Sequence, residues 1–233
     1  MRRRAGPASA ALALGLSFVA CASAPTPTPK PPCPEAPPTD TSAQATLEGA
    51  EQAVMVTNKG TLTIELYPDA ASLAAANFVA LARCGFYDGI SFHRVLAGFV
   101  IQAGDPQTKE NRGDFAGIGT GGPGYSFAIE PPADELAYEP YVVSMANALR
   151  RGPNGEVESG ADSNGSQFFI NLADLSDGLP RDYTIFGRVI EGTEVVDEIG
   201  QVPVNDPQIG VPLDPVIIES ISIRTTPEET PAP

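Results

Sequence analysis

Apolar and polar positions alternate in short runs over most of this chain. In 61–67, Leu62, Ile64 and Leu66 alternate with Thr61, Thr63 and Glu65, the period of a strand with one buried face. A second run, Val54 to Thr57, precedes it, with Asn58-Lys59-Gly60 between. Together they predict a hairpin. The period then changes. Ala74, Phe78, Leu81 and Ala82 recur at helical spacing, predicting a helix from a capping Asp69 through about Arg83, stopped by Gly85. Short strand patterns follow near Phe92, Phe99, Phe127, Val142, Gln167 and Ile185. A second short helix is predicted over 193–199, ending at Gly200, and Ile221 and Ile223 alternate with Ser220, Ser222 and Arg224 in a last strand. Two apolar helices among many short strands predict a mostly β fold, an antiparallel barrel plugged at both ends.

The N-terminal fifth of the chain departs from this pattern. Arg2-Arg3-Arg4 precedes an apolar run from Ala8 to Ala20, too short for a membrane span of about 20 residues. The run closes on Phe18-Val19-Ala20-Cys21. This resembles a bacterial lipoprotein signal with Cys21 as the lipidated residue, Phe18 standing where leucine is usual. The rival is ordinary secretion, with Ala20-Cys21-Ala22 as an A-x-A cleavage pattern. Either way the mature domain leaves the cytoplasm, as a membrane-anchored lipoprotein or as a periplasmic or secreted protein. Residues 22–50 are rich in Pro, Thr and Ala and almost free of large apolar side chains. Such a segment cannot offset its ordering entropy by burial, so a disordered, extended stalk is expected. The resulting organisation is a signal over 1–21, a stalk over 22–50, a folded domain over 51–225 and a loose tail over 226–233.

Composition narrows the chemistry. A net charge of −15 argues against nucleic acid and anionic lipid surfaces as partners. One histidine and three cysteines without a CxxC or HxxxH pairing leave no zinc site to expect. No GxSxG elbow is present. Gly117 to Gly124 (GIGTGGPG) is not followed by a helix with Lys-Ser/Thr, so it reads as a surface turn rather than a phosphate cradle. The acidic stretch Asn154 to Gly165 lacks EF-hand spacing and reads as a solvated loop. No metal or cofactor is expected. Cys84 is expected as a buried free thiol; Cys33 falls in the stalk, its state open. Neighbours on a strand face opposite ways, so if Arg94 faces a groove, His93 points inward and is structural.

Four fragments carry the function. Phe92 to Gly104 reads FHRVLAGFVIQAG, and SMANA (Ser144 to Ala148), NGSQFF (Asn164 to Phe169) and YTIFGRV (Tyr183 to Val189) follow in order. Together they resemble the cyclophilins, peptidyl-prolyl cis/trans isomerases built on a closed eight-stranded antiparallel barrel with two capping helices. The resemblance implies that Arg94 is the catalytic arginine and that Gln102 bonds the substrate backbone and orients it. Phe99 and Phe169 would wall the proline pocket, with Val100 replacing a common methionine. Ala146, Asn147 and Gln167 would form the edge that binds substrate backbone. Tyr183 stands where histidine is frequent, and Leu179 where many members carry tryptophan. Proline-containing segments of unfolded or folding proteins are the implied partners, and a monomer the implied state. The stretches 147–165 and 106–120 look longer than a minimal member needs. Read alone, Phe99 and Phe169 could be core, and Arg94 could pair with Glu130 or Asp105. A module that only grips proline-containing segments is the alternative function.

Overall fold

The structure, a computed structural model, describes residues 29–110 and 117–224. Cys21 and the expected signal and tail therefore lie outside the described residues. In chain order the strands are β1 (Gln52–Thr57), β2 (Gly60–Leu66), β3 (Ser91–Phe92), β4 (Arg94–Leu96), β5 (Val100–Ala103), β6 (Val142–Met145), β7 (Arg150–Arg151), β8 (Val157–Ser159), β9 (Phe168–Asn171), β10 (Ile185–Glu191) and β11 (Val216–Arg224). The helices are α1 (Asp40–Leu47), α2 (Ser72–Cys84) and α3 (Thr193–Ile199).

The hairpin about Asn58 to Gly60 is present, β1 pairing with β2 from Gln52↔Glu65 to Thr57↔Gly60. Nine strands form one antiparallel sheet in the order β3-β11-β1-β2-β10-β6-β9-β5-β4. The two strands at its ends, β3 and β4, are separated in sequence only by His93. One stretch of chain thus serves both edges, and the sheet nearly closes. Counted as one strand interrupted at His93, the barrel has the eight strands expected. Near Phe127 the expected strand is reduced to a single bridge to Asn164. The stretch expected as a solvated loop, Asn154 to Gly165, contains β8, which pairs with β7 just before it in a small separate ladder.

Helix α2 plugs the barrel. Ala74, Phe78, Leu81 and Ala82 are all buried, and the Phe78 ring meets Phe168 edge-on at 5.6 Å and Phe186 at 5.2 Å. Such contacts bind more tightly than burial alone. Gly85 stops the helix at φ 77°, and Phe86 N–H donates to Leu81 O at 2.9 Å, a closing bond that favours glycine in the left-handed conformation. The start differs from expectation. Asp69 does not cap it; Ala71 occupies the cap position without a side-chain bond. Glu130, distant in sequence, supplies the acceptors instead: its Oε1 takes Leu73 N–H at 3.0 Å and its Oε2 takes Ala74 N–H at 2.8 Å. A carboxylate at a helix N-terminus meets both the unbonded N–H groups and the positive end of the dipole.

The largest correction concerns the expected stalk. Residues 29–50 are folded onto the domain, and Cys33 is disulfide-bonded to Cys84, so neither cysteine is a free thiol. Thr39 and Ser42 form a capping box for α1. Ala43 and Ala50 are buried, and Leu47 packs against the core. Arg83 Nη1 donates to Thr46 O at 2.6 Å, and Lys30 pairs with Asp88. Large side chains are not needed here, because the crosslink removes chain entropy that burial would otherwise have to overcome. For a separation of 51 residues the chain-entropy model gives about 4 kcal/mol.

Candidate active site

The site is assembled by strand register. Arg94 on β4 pairs with Gln102 on β5, Gln102 with Phe169 on β9, and Phe169 with Ser144 on β6. Directly paired residues share a face, so Arg94, Gln102 and Phe169 form a row across three strands. Phe99 stands in the turn at Ala97-Gly98, just before β5. Arg94, Phe99, Val100, Gln102, Ala146, Asn147, Phe169, Leu179 and Tyr183 all line one cavity of about 180 Å³. Gln167, the remaining candidate, lines an adjoining cavity of about 340 Å³ together with Gln102, Ala146 and Asn147. The fold brings residues of all four fragments, and Leu179 from outside them, to one groove.

Polar groups in the row are chained. Arg94 Nη1 donates to Gln102 Oε1 at 3.4 Å, a long bond. Gln102 Nε2 donates to Gln167 Oε1 at 3.0 Å, and Gln167 Nε2 donates to Gly121 O at 2.8 Å. The Arg94 guanidinium lies 5.9 Å from the centre of the Phe99 ring, within cation–π range. Half-burial lowers its pKa from the ordinary arginine value, Tyr183 opposing the shift; it remains a cation at neutral pH. Among the described residues no carboxylate pairs with it. Glu130 caps α2. The buried Asp105 accepts from Gln107 N–H at 2.8 Å, Gly119 N–H at 2.5 Å and Gly121 N–H at 3.2 Å. A half-buried charge on the wall of a cavity that it shares with Phe99, Val100, Phe169 and Leu179 is left to act on whatever enters.

The apolar walls converge. Phe169 and Tyr183 meet edge-on at 5.4 Å, and the buried Val100 lines the same cavity. Phe169 is therefore both packed and cavity-lining, so its two readings are not exclusive. The Tyr183 backbone is gripped by Tyr138, whose hydroxyl donates to Tyr183 O at 2.9 Å and accepts Tyr183 N–H at 3.1 Å.

The glycine-rich segment is more than a turn. Asp105 gathers its N–H groups, and Gly121 presents a carbonyl to Gln167. A Cβ at Gly121 would stand 2.1 Å from Asp105 Oδ1, so the close approach requires glycine. Sequence reasoning missed this role, as it missed Asp182, whose carbonyl accepts from Asn147 Nδ2 at 2.8 Å. The family fragments flank these residues without including them. His93 is buried with neither ring nitrogen hydrogen-bonded among the described residues, an exception to the usual pairing of buried polar groups. Among the described residues no cluster of three His, Cys, Asp or Glu is placed to hold a metal.

Comparison with known proteins agrees with this geometry. Residues 53–223 match the family model for cyclophilin type peptidyl-prolyl cis-trans isomerases. The chain is 39% identical over 195 residues to peptidyl-prolyl cis-trans isomerase B of Streptomyces anulatus, covering 76% of this chain and 99% of that one. It is 40% identical over 151 residues to a peptidyl-prolyl cis-trans isomerase of Helicobacter pylori, covering 64% and 80%. Among solved structures, a cyclophilin type isomerase of Cryptosporidium parvum, determined in the presence of the dipeptide Ala-Pro, superposes with a TM-score of 0.62 at 33% identity, covering 75% of this chain and 99% of that one. The chain belongs to the cyclophilin family and is a peptidyl-prolyl cis-trans isomerase, an enzyme class that acts on proline-containing peptides.

Proposed function

We propose that the groove between Arg94 and Tyr183 performs this isomerisation through Arg94, and that it does so outside the cytoplasm. The observation that carries the first part is the Arg94 cation, without a carboxylate partner among the described residues, on the wall of the cavity lined by Phe99, Val100, Phe169 and Leu179, and chained through Gln102 to Gln167. Rotation about an X-Pro bond faces a barrier of about 18–20 kcal/mol from amide resonance. A donor near the prolyl nitrogen favours a pyramidal nitrogen with a localised lone pair and so removes that resonance. Phe99, Val100, Phe169, Leu179 and Tyr183 hold the ring. The side chain of Asn147 is engaged by Asp182 O and Leu149 N–H, so its backbone, with Ala146 and Gln167, forms the edge that holds the substrate chain. Each tenfold in rate asks for about 1.36 kcal/mol of stabilisation given to the twisted state alone.

Arg94→Ala tests this. A protease-coupled assay on an X-Pro peptide should show at least about a hundredfold loss in kcat/KM, about 2.7 kcal/mol, with the thermal midpoint unchanged. Arg94→Lys should recover little, since a point charge lacks the planar fork. Activity within about threefold of wild type would remove Arg94 from the mechanism.

Two observations support the location. The N-terminal sequence has the form of an export signal, and the Cys33–Cys84 disulfide suits an oxidising compartment. With Cys21 lipidated, the enzyme serves folding chains as a membrane-anchored monomer whose substrate is peptide rather than nucleic acid.

A further inference from the structure

The chain leaves the groove at Asn147 and re-enters it at Gly165, and the excursion between them is the β7–β8 hairpin. The base of the hairpin is closed by Ala148 N–H donating to Ser163 Oγ at 2.9 Å. From β7, Arg151 reaches across to the opposite wall. Its Nε donates to Asp182 Oδ2 at 2.6 Å and its Nη2 to Oδ1 of the same carboxylate, a two-pronged fork that fixes orientation as well as distance. Its Nη1 donates to Gly155 O at 2.7 Å, so the hairpin's own turn aims the guanidinium. This contact holds the Asp182 carboxyl below the usual carboxylate range. The wall it grips needs holding. Between the end of β9 and the start of β10 the chain has no ladder of its own, yet Leu179 and Tyr183 in that stretch line the cavity. One side of the loop is tied down by Arg181, which donates to the carbonyls of Leu136, Pro132 and Ala133. The other side is tied by Asp182: carboxylate to Arg151, carbonyl to Asn147.

We propose that Arg151 is a positioning residue for isomerisation: acting through Asp182, it sets the separation between Asn147 and the Leu179–Tyr183 wall, and the β7–β8 hairpin thereby governs how tightly the proline pocket fits its substrate. The proposal rests on the groove assigned above. Arg151 touches no atom of that groove directly. Its side chain is 42% exposed, so the pair adds little to global stability, and its effect falls on local geometry. A wall free to move outward weakens the hold on the ring in ground and twisted states alike. That loss appears in KM and leaves kcat nearly unchanged.

The test compares full-length, disulfide-intact wild type with Arg151→Gln, Arg151→Lys, Asp182→Asn and the double variant R151Q/D182N on an X-Pro peptide. KM should rise roughly tenfold in R151Q and in D182N, with kcat within about twofold and the melting midpoint unmoved. Arg151→Lys should recover less than half of the loss, because it cannot fork. The double variant should be no worse than either single one, as expected for two halves of one contact. The side-chain amide signal of Asn147 in a nitrogen–proton NMR spectrum should shift in both single variants. An unchanged KM in R151Q, or a fall in kcat alone, overturns the proposal. So does a parallel fall in activity and melting midpoint, which marks a merely structural pair. If wild type itself fails to turn over the peptide, the groove assignment is wrong, and the Asn147 signal decides the clip separately: unshifted in R151Q, it is overturned.

Discussion

Asp105 and Glu130, the two acids considered as partners for Arg94, both serve backbone N–H groups instead. This leaves the guanidinium charge unneutralised where the cavity opens. Its neighbour His93 shows the opposite treatment. Burial lowers its pKa from the usual 6.5 to about 4, with Asp105 opposing the shift and Arg94 adding to it. The sign follows: between about pH 6.5 and 4 the unfolded chain takes up a proton that the folded chain refuses, so stability falls as pH falls through that window and is fully present above it. From pH 7 to pH 5, above most carboxylate titrations, the loss due to this residue should be about 2 kcal/mol. Urea unfolding at both pH values checks it. His93→Gln should lose less over the same interval, whatever its absolute stability, and an equal slope in the two proteins would show that His93 is not the group responsible.

Among the elements, α1 depends for its existence on a distant partner. Eight residues are too few for a helix to persist alone in water. The capping box helps locally, but α2, Leu47 in the core and the Cys33–Cys84 bond hold it in place. Replacing both cysteines by serine should lower the urea midpoint, with a loss of up to about 4 kcal/mol. Limited proteolysis of that variant should cut within 29–50 before the barrel is touched; cleavage no faster than in wild type would mean that packing alone holds the arm. Helix α2 likewise could be placed by its apolar stripe, whereas its cap comes from Glu130. A helix's first N–H groups accept any carboxylate the fold delivers, so local spacing pointed to Asp69 and tertiary structure supplied another.

For the whole molecule, folding of the arm changes what a lipid anchor would do. Eleven residues separate Cys21 from Cys33, and fully extended they reach roughly 35 Å. A lipid on Cys21 would hold the barrel near the bilayer, while the net charge of −15 keeps it from lying on anionic headgroups. Cells making wild type and Cys21→Ser should therefore differ on fractionation, wild type with membranes and the variant soluble. Wild type wholly soluble, with its N-terminus at Ser23, would establish cleavage at the A-x-A pattern instead.

The sequence by itself determined the β hairpin and the spans of α2 and α3, because strand and helix periods are local patterns that survive in one dimension; the four fragments named the groove candidates only through their resemblance to a family. It did not determine which acid caps α2, where Cys33 and Cys84 find each other, or that Arg151 meets Asp182. Those pairings join residues 57, 51 and 31 positions apart. A charge, a thiol or an unbonded N–H group specifies the kind of partner it needs but not which residue supplies it, and only the folded chain, by laying arm, loops and helix side by side, makes that choice.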